Sequence, residues 1–249
     1  MISGLRRITA ATTLLTFALL IVPGGQAGAE AAGTYRVTFT NLTDGQPLTP
    51  PVVATHSSKL HVFQYRHEAR YGVQQIAENG NNAPLLTFLG RRSRVFNVVQ
   101  GGDGPLVPEG TPGAKMFPDH VSFTIMAGDD ERFLSLVSML VCTNDGFTGV
   151  DSLRLPLAVG ESLQHDAIAY DARTEVNNQE LADMVPPCQG LIGVPDDRGK
   201  PGTATSDPSL RTTGVIRMHH GIVAGRGDLV PRVHGWTDPV SRIDVERIS

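Results

Sequence analysis

Catalytic signatures are what this 249-residue sequence most plainly lacks. It has no G-x-S-x-G elbow for a serine nucleophile and no H-E-x-x-H or C-x-x-C spacing for zinc. The one glycine-rich run with charge, Gly225-Arg226-Gly227-Asp228, fits neither nucleotide fingerprint. Lysine and arginine total 21 against 25 acids, a net charge of −4. No basic stripe with interleaved aromatics appears, so nucleic acid is not an expected partner. After the first 30 residues no apolar run is long enough to span a bilayer, and no internal repeat is visible. Cysteine is scarce, with Cys142 and Cys188 the only pair.

The N-terminus carries the clearest local signal. Arg6 and Arg7 precede an apolar stretch from Ile8 to Val22, broken by Thr9, Thr12, Thr13 and Thr16. Ala27-Gly28-Ala29 then fits the small-residue cleavage rule. Residues 1–29 are therefore expected to be a signal peptide cut after Ala29, with Ala32 as the alternative, leaving an exported domain over 34–249. An oxidising compartment favours a disulfide between Cys142 and Cys188. The long loop it would close makes such a bond worth about 3–4 kcal/mol on the chain-entropy model.

Hydrophobic residues make up 40% of the chain and charged ones 18%, enough for a packed core. Period-two alternation recurs: Tyr35, Val37 and Phe39 alternate with Arg36, Thr38 and Thr40, and Val121, Phe123 and Ile125 with Ser122 and Thr124. Ile243, Val245 and Ile248 close the chain less regularly. Strands are also expected at 132–140, 162–170 and 215–219, and at His61–Tyr65, a segment that a helix could also claim. With 27 glycines and 17 prolines bounding them, these segments predict an all-β, antiparallel sandwich rather than a barrel. One or two short helices are expected: Glu68 to Asn79 has helical apolar spacing and stops at Asn79-Gly80, and Pro84–Leu89 fits helix or strand equally. Residues 101–118 and 189–214 read as loops, the second as an insertion in the domain.

Two acidic clusters stand out. The first is Thr143-Asn144-Asp145-Gly146, running on through Phe147-Thr148-Gly149-Val150-Asp151; the second is Tyr170-Asp171-Ala172-Arg173-Thr174-Glu175. Ordinary turn chemistry accounts for the first. Converging carboxylates, such as Asp171 and Glu175 within one turn, would instead suit calcium, which takes hard oxygen donors in flexible geometry. A disulfide at Cys142 and Cys188 would hold the two clusters in one neighbourhood. Histidine offers a weaker alternative: His219 and His220 are adjacent, so on a strand they face opposite ways and cannot readily share a metal. Arg226-Gly227-Asp228 and the sequon Asn41-Leu42-Thr43 carry no functional weight on their own.

The two clusters together resemble the spondin domain of F-spondin-type matrix proteins, through Asn144-Asp145-Gly146-Phe147-Thr148-Gly149-Val150-Asp151-Ser152-Leu153, then Tyr170-Asp171-Ala172 and Thr174-Glu175. Tyr35 to Thr43 looks like that family's opening strand, and Thr55-His56-Ser57 with Gly72 to Gly80 like its helical segment. The resemblance implies a β-sandwich similar to calcium-dependent phospholipid-binding (C2-like) domains, with calcium as cofactor. Its matching ligands are Asp145, Asp171 and Glu175, the last standing where the family pattern has a second aspartate. The expected function is a secreted, non-catalytic adhesion module binding an extracellular or cell-envelope protein or glycan. An exported hydrolase and calcium-mediated attachment to a membrane surface are the alternatives.

Overall fold

Tyr35, Val37 and Phe39 do turn inward together. They belong to strand β1 (Gly33–Asn41), whose inner face is fully buried while the intervening residues stay more open. The computed structural model describes residues 33–193 and 206–249. The signal peptide expected at 1–29, both cleavage points and residues 194–205 of the insertion lie outside the described residues.

Two antiparallel sheets face each other. In the first, β1 is flanked by β4 (His120–Ala127) and β10 (Ser241–Arg247), with β7 (Ser162–Ala167) beyond β10. The second has six strands: β3 (Val95–Gln100), β2 (Val52–His56), β5 (Phe133–Met139), β6 (Gly146–Arg154), β8 (Ala169–Asp171) and β9 (Arg217–Met218), in that spatial order. This is the expected all-β sandwich. Between the sheets lies one core, with Val37, Phe39, Ile125, Ile243 and Val245 from the first sheet meeting Val53, Leu134, Leu136 and Val150 from the second.

A second core covers the outer face of the six-stranded sheet. Val52, Ala54, Val137, Met139 and Phe147 pack there against α1 (Tyr71–Asn79), α2 (Ala83–Gly90) and α3 (Pro187–Ile192). Strand β5 alternates between the two cores, with Leu134 and Leu136 on one side and Val137 and Met139 on the other. A strand buried on both faces has no polar side to show. The helices therefore add a third layer, and a four-residue helix, α4 (Pro231–His234), precedes β10.

Several local expectations need correction. His61–Tyr65 forms no strand; the Asp151 carboxylate holds it instead, accepting from Val62 N at 2.7 Å and contacting His61 Nδ1 at 2.6 Å. The segment 162–170 is divided between β7 and β8, which lie in different sheets, and 215–219 shortens to Arg217–Met218. Pro84–Leu89 is helical. The run after Asp145 is strand β6 rather than a loop. Its Gly149, at φ 150°, lies where a Cβ would come within 1.9 Å of the Leu136 carbonyl, so only glycine lets the two strands approach there.

Candidate metal centre

Asp145 closes the tight turn from β5 into β6. Thr143 shapes that turn: its hydroxyl donates to Leu140 O at 2.7 Å and accepts from Gly146 N at 2.8 Å. Gly146 leaves no room for a side chain, since a Cβ would lie 2.5 Å from the Thr143 hydroxyl. Strand pairing then sets the partner: Gly146 stands opposite Asp171, and Ala172 N donates to Asp145 O at 3.1 Å. The two aspartates that begin and end this ladder are thus neighbours at one end of the sheet.

The Asp145 carboxylate is wholly buried and unevenly served. Its Oδ2 accepts from Thr174 N at 2.7 Å, Glu175 N at 3.0 Å and the Thr174 hydroxyl at 3.3 Å. Its Oδ1 has no hydrogen-bond partner. Burial first, and the Asp171 charge second, push its carboxyl up to about 7 against the pull of the Thr174 and Glu175 donors. Asp171 is better satisfied. Its Oδ1 accepts from Arg173 N at 2.7 Å, its Oδ2 accepts from Asn177 Nδ2 at 2.9 Å, and the Arg173 guanidinium lies 3.9 Å away.

Glu175 is divided between two places. Its backbone amide serves Asp145, while its carboxylate accepts from Asp207 N at 3.1 Å. Burial, followed by the Glu78, Asp145 and Asp207 charges, lifts the carboxyl to about 8, opposed by the Asp207 amide. The structure therefore brings Asp145 and Asp171 together by strand pairing and aims the Glu175 side chain toward the 206–211 segment. Among the described residues no group of three or more His, Cys, Asp or Glu side chains is assembled to hold a metal ion. What the site offers a hard cation is a buried carboxylate oxygen without a donor, beside a second carboxylate. Calcium takes about six to eight oxygen ligands, so these two carboxylates would supply only part of its shell.

A cleft of about 620 Å³ opens beside these residues, lined among others by Asp171, Glu175, Asn177 and His219. His219 was not expected here. It is nearly buried and packs edge-on against Trp236, with ring centroids 5.0 Å apart. Its Nδ1 accepts from Gly221 N at 3.1 Å, which puts the proton of the neutral ring on Nε2. Nε2 has no partner, and burial, partly countered by Asp171, lowers this ring to about 4. A ring protonated on its inward nitrogen donates rather than ligates, so His219 does not supply a nitrogen ligand in this arrangement.

The walls are fixed covalently and by hydrogen bonds. Cys142 and Cys188 form a disulfide between the β5–β6 turn and α3. Gln179, at φ 63°, donates from Nε2 to Val223 O and Arg226 O at 2.8 and 2.6 Å. The Arg226-Gly227-Asp228 turn is thereby tied down, and Asp228 also accepts from Leu181 N at 3.1 Å.

The hydrolase alternative has a visible candidate. His56 Nε2 lies 2.7 Å from the Ser135 hydroxyl, and His56 Nδ1 lies 2.9 Å from Ser57 O. Both side chains are buried within the sheet and its covering layer, so this hydroxyl meets no substrate in this fold. Ser152 and Asp151 both approach the same nitrogen of His61, at 3.4 and 2.6 Å, whereas a relay uses one ring nitrogen for each. These groups act as structural ties.

No curated protein matches the chain. A family profile, Spondin_N, matches residues 41–178, more than half of the chain, and takes in Asp145, Asp171, Glu175 and Cys142. Spondin-type domains are non-catalytic binding modules; strands β2 to β8, with the β6–β8 ladder, fall within the matched segment, while β9, β10 and all of β1 but Asn41 lie outside it. The chain belongs to the Spondin_N family, that of the spondin N-terminal domain.

Proposed function

We propose that this protein is an exported, non-catalytic adhesion module whose end loops are braced by calcium at Asp145 and Asp171, with Glu175 as an outer carboxylate. The observation that carries this reading is the Asp145 side chain: one oxygen takes three donors, the other takes none, and both are shut away from water beside Asp171. Leaving a buried charge half-compensated is costly, and a divalent ion supplies the missing countercharge. Thr174 and Glu175 amides keep Asp145 aimed, and Arg173 N with Asn177 keeps Asp171 aimed. The Glu175 carboxylate would have to turn from Asp207 N to join the shell, so its part is electrostatic first.

Braced from the buried 143–145 turn beneath, the loops at 171–179 and 219–228 would offer a rigid surface to a protein or glycan partner outside the cytoplasm. The leader expected at 1–29 and the Cys142–Cys188 disulfide support an oxidising, extracytoplasmic setting. Calorimetric titration with calcium tests the assignment. The wild-type chain is expected to give a saturable heat that Asp171→Ala abolishes; equal heats from both proteins refute the site.

A further inference from the structure

A second concavity lies under α1 and α2, and it shares no residue with the acidic site. It encloses about 430 Å³ between the 59–64 loop, Arg70 at the start of α1, and the turn from α2 into β3. Lys59, Arg70, Arg92 and Arg94 line it, with no carboxylate on its wall. Among the described residues none of these four is in an ion pair, in a protein whose net charge is −4. Four cations gathered around one hollow without a carboxylate partner create a local positive potential that attracts anions.

The hollow is also organised. The Arg92 guanidinium stacks over Phe88, 4.0 Å from the ring centroid, and Arg94 Nη1 donates to Lys59 O at 3.1 Å, so both heads are held in place. Phe88 and Arg92 form the wall shared with an adjoining hollow that contains Tyr71 and Arg91. Tyr71 is 66% exposed, an unusual position for an aromatic ring with no partner to cover it. Gln64 and Ser93 add uncharged hydrogen-bonding groups on the first hollow's lining.

We propose that this groove binds an acidic oligosaccharide, carrying carboxylate or sulfate groups. Planar guanidinia pair bidentately with such anions. The exposed ring of Tyr71 suits the apolar face of a sugar, Phe88 serves to hold the Arg92 guanidinium, and the amide and hydroxyl groups suit the sugar's hydroxyls. Leu60 and Phe88 are the only apolar side chains in the first hollow, which leaves an acidic peptide little to bury its own apolar groups against. Nucleic acid would need a longer basic track than one groove on an acidic protein. A concave site would take a lipid headgroup only singly.

The test uses the whole exported chain, in EDTA, so that a failed calcium site leaves it unaffected. Binding of a heparin octasaccharide and of an oligogalacturonate is measured at about 0.1 M salt, where surface charge is only partly screened. Neutral dextran, poly-glutamate, single-stranded DNA and anionic phospholipid vesicles are run beside them. At least one acidic oligosaccharide is expected to bind, and the two probes distinguish sulfate from carboxylate recognition. The double variant Arg92→Glu/Arg94→Glu should bind at least about tenfold more weakly at an unchanged melting temperature, while the charge-matched Lys115→Glu/Arg232→Glu retains binding. Should the first variant not fold, Lys59→Glu/Arg70→Glu must show the same loss. No binding of either oligosaccharide, binding indifferent to the groove variants, or equally tight capture of poly-glutamate, DNA or vesicles overturns the proposal.

Discussion

Ala172 N donates to Asp145 O at 3.1 Å, one residue past the point where Gly146 pairs with Asp171. That single step of a β-ladder places two carboxylates from distant parts of the sequence at one end of the six-stranded sheet. Burial then makes their proximity expensive.

Replacing Asp145 separates its two roles. Asp145→Ala strands the amides of Thr174 and Glu175 and should cost about 3 kcal/mol in calcium-free urea unfolding. Asp145→Asn retains an acceptor oxygen for those amides and removes the charge facing Asp171. It should unfold close to the wild type in EDTA, yet lose the stabilisation that calcium gives.

Calcium-free stability should fall as pH rises from about 6.5 to 8. The carboxyls of Asp145 and Glu175 are lifted to about 7 and about 8, so the folded chain holds protons there that the unfolded chain has already released. Their contribution is complete below the ordinary carboxylate range and vanishes as pH passes those raised values. Between about 4 and 6.5 the buried rings of His56, His219 and His234 work oppositely, because burial lowers them and the unfolded chain binds the extra protons. The clean window is therefore the upper one. Thermal melts in EDTA should show the decline, and saturating calcium should remove it.

Cutting the disulfide should destabilise the chain without dissolving the sandwich. Cys142 and Cys188 are 46 residues apart, and Cys142→Ser with Cys188→Ser should lower the unfolding free energy by about 3–4 kcal/mol. The circular dichroism spectrum should remain that of a β protein.

Phe147 anchors the site from below. Its ring lies 5.1 Å from Phe63 and 5.3 Å from Tyr170, fully buried two residues past Asp145. Phe147→Ala should cost about 3–5 kcal/mol in urea unfolding and weaken calcium binding with it, since the β6–β8 ladder loses its packing.

How much of this was legible beforehand depended on how many faces each strand hides. β1 and β4 each show one face to solvent, so their alternation announced them. β2 and β6 are buried on both sides for most of their length, and Gly149 and the Asn-Asp-Gly start made β6 look like a turn. The third layer of helices is what buries those outer faces, and no local pattern reveals it. Within the site, Asp145 and Asp171 were visible through their motif. Glu175 was named by the same motif, but the direction of its side chain depends on the Asp207 amide far along the chain and could not be read from it. His219 likewise arrives by tertiary packing against Trp236, with no spacing to signal it. The basic groove has little sequence signal of its own, because its cations come from three segments and only Arg91-Arg92-Ser93-Arg94 is dense in sequence.

The most direct measurement is a crystal structure grown with calcium and recorded at a wavelength where the ion's anomalous signal is visible. A peak within about 2.3–2.6 Å of Asp145 Oδ1 and of an Asp171 carboxylate oxygen is the predicted result. Clear density for both side chains with Asp145 Oδ1 still facing protein alone would contradict the account.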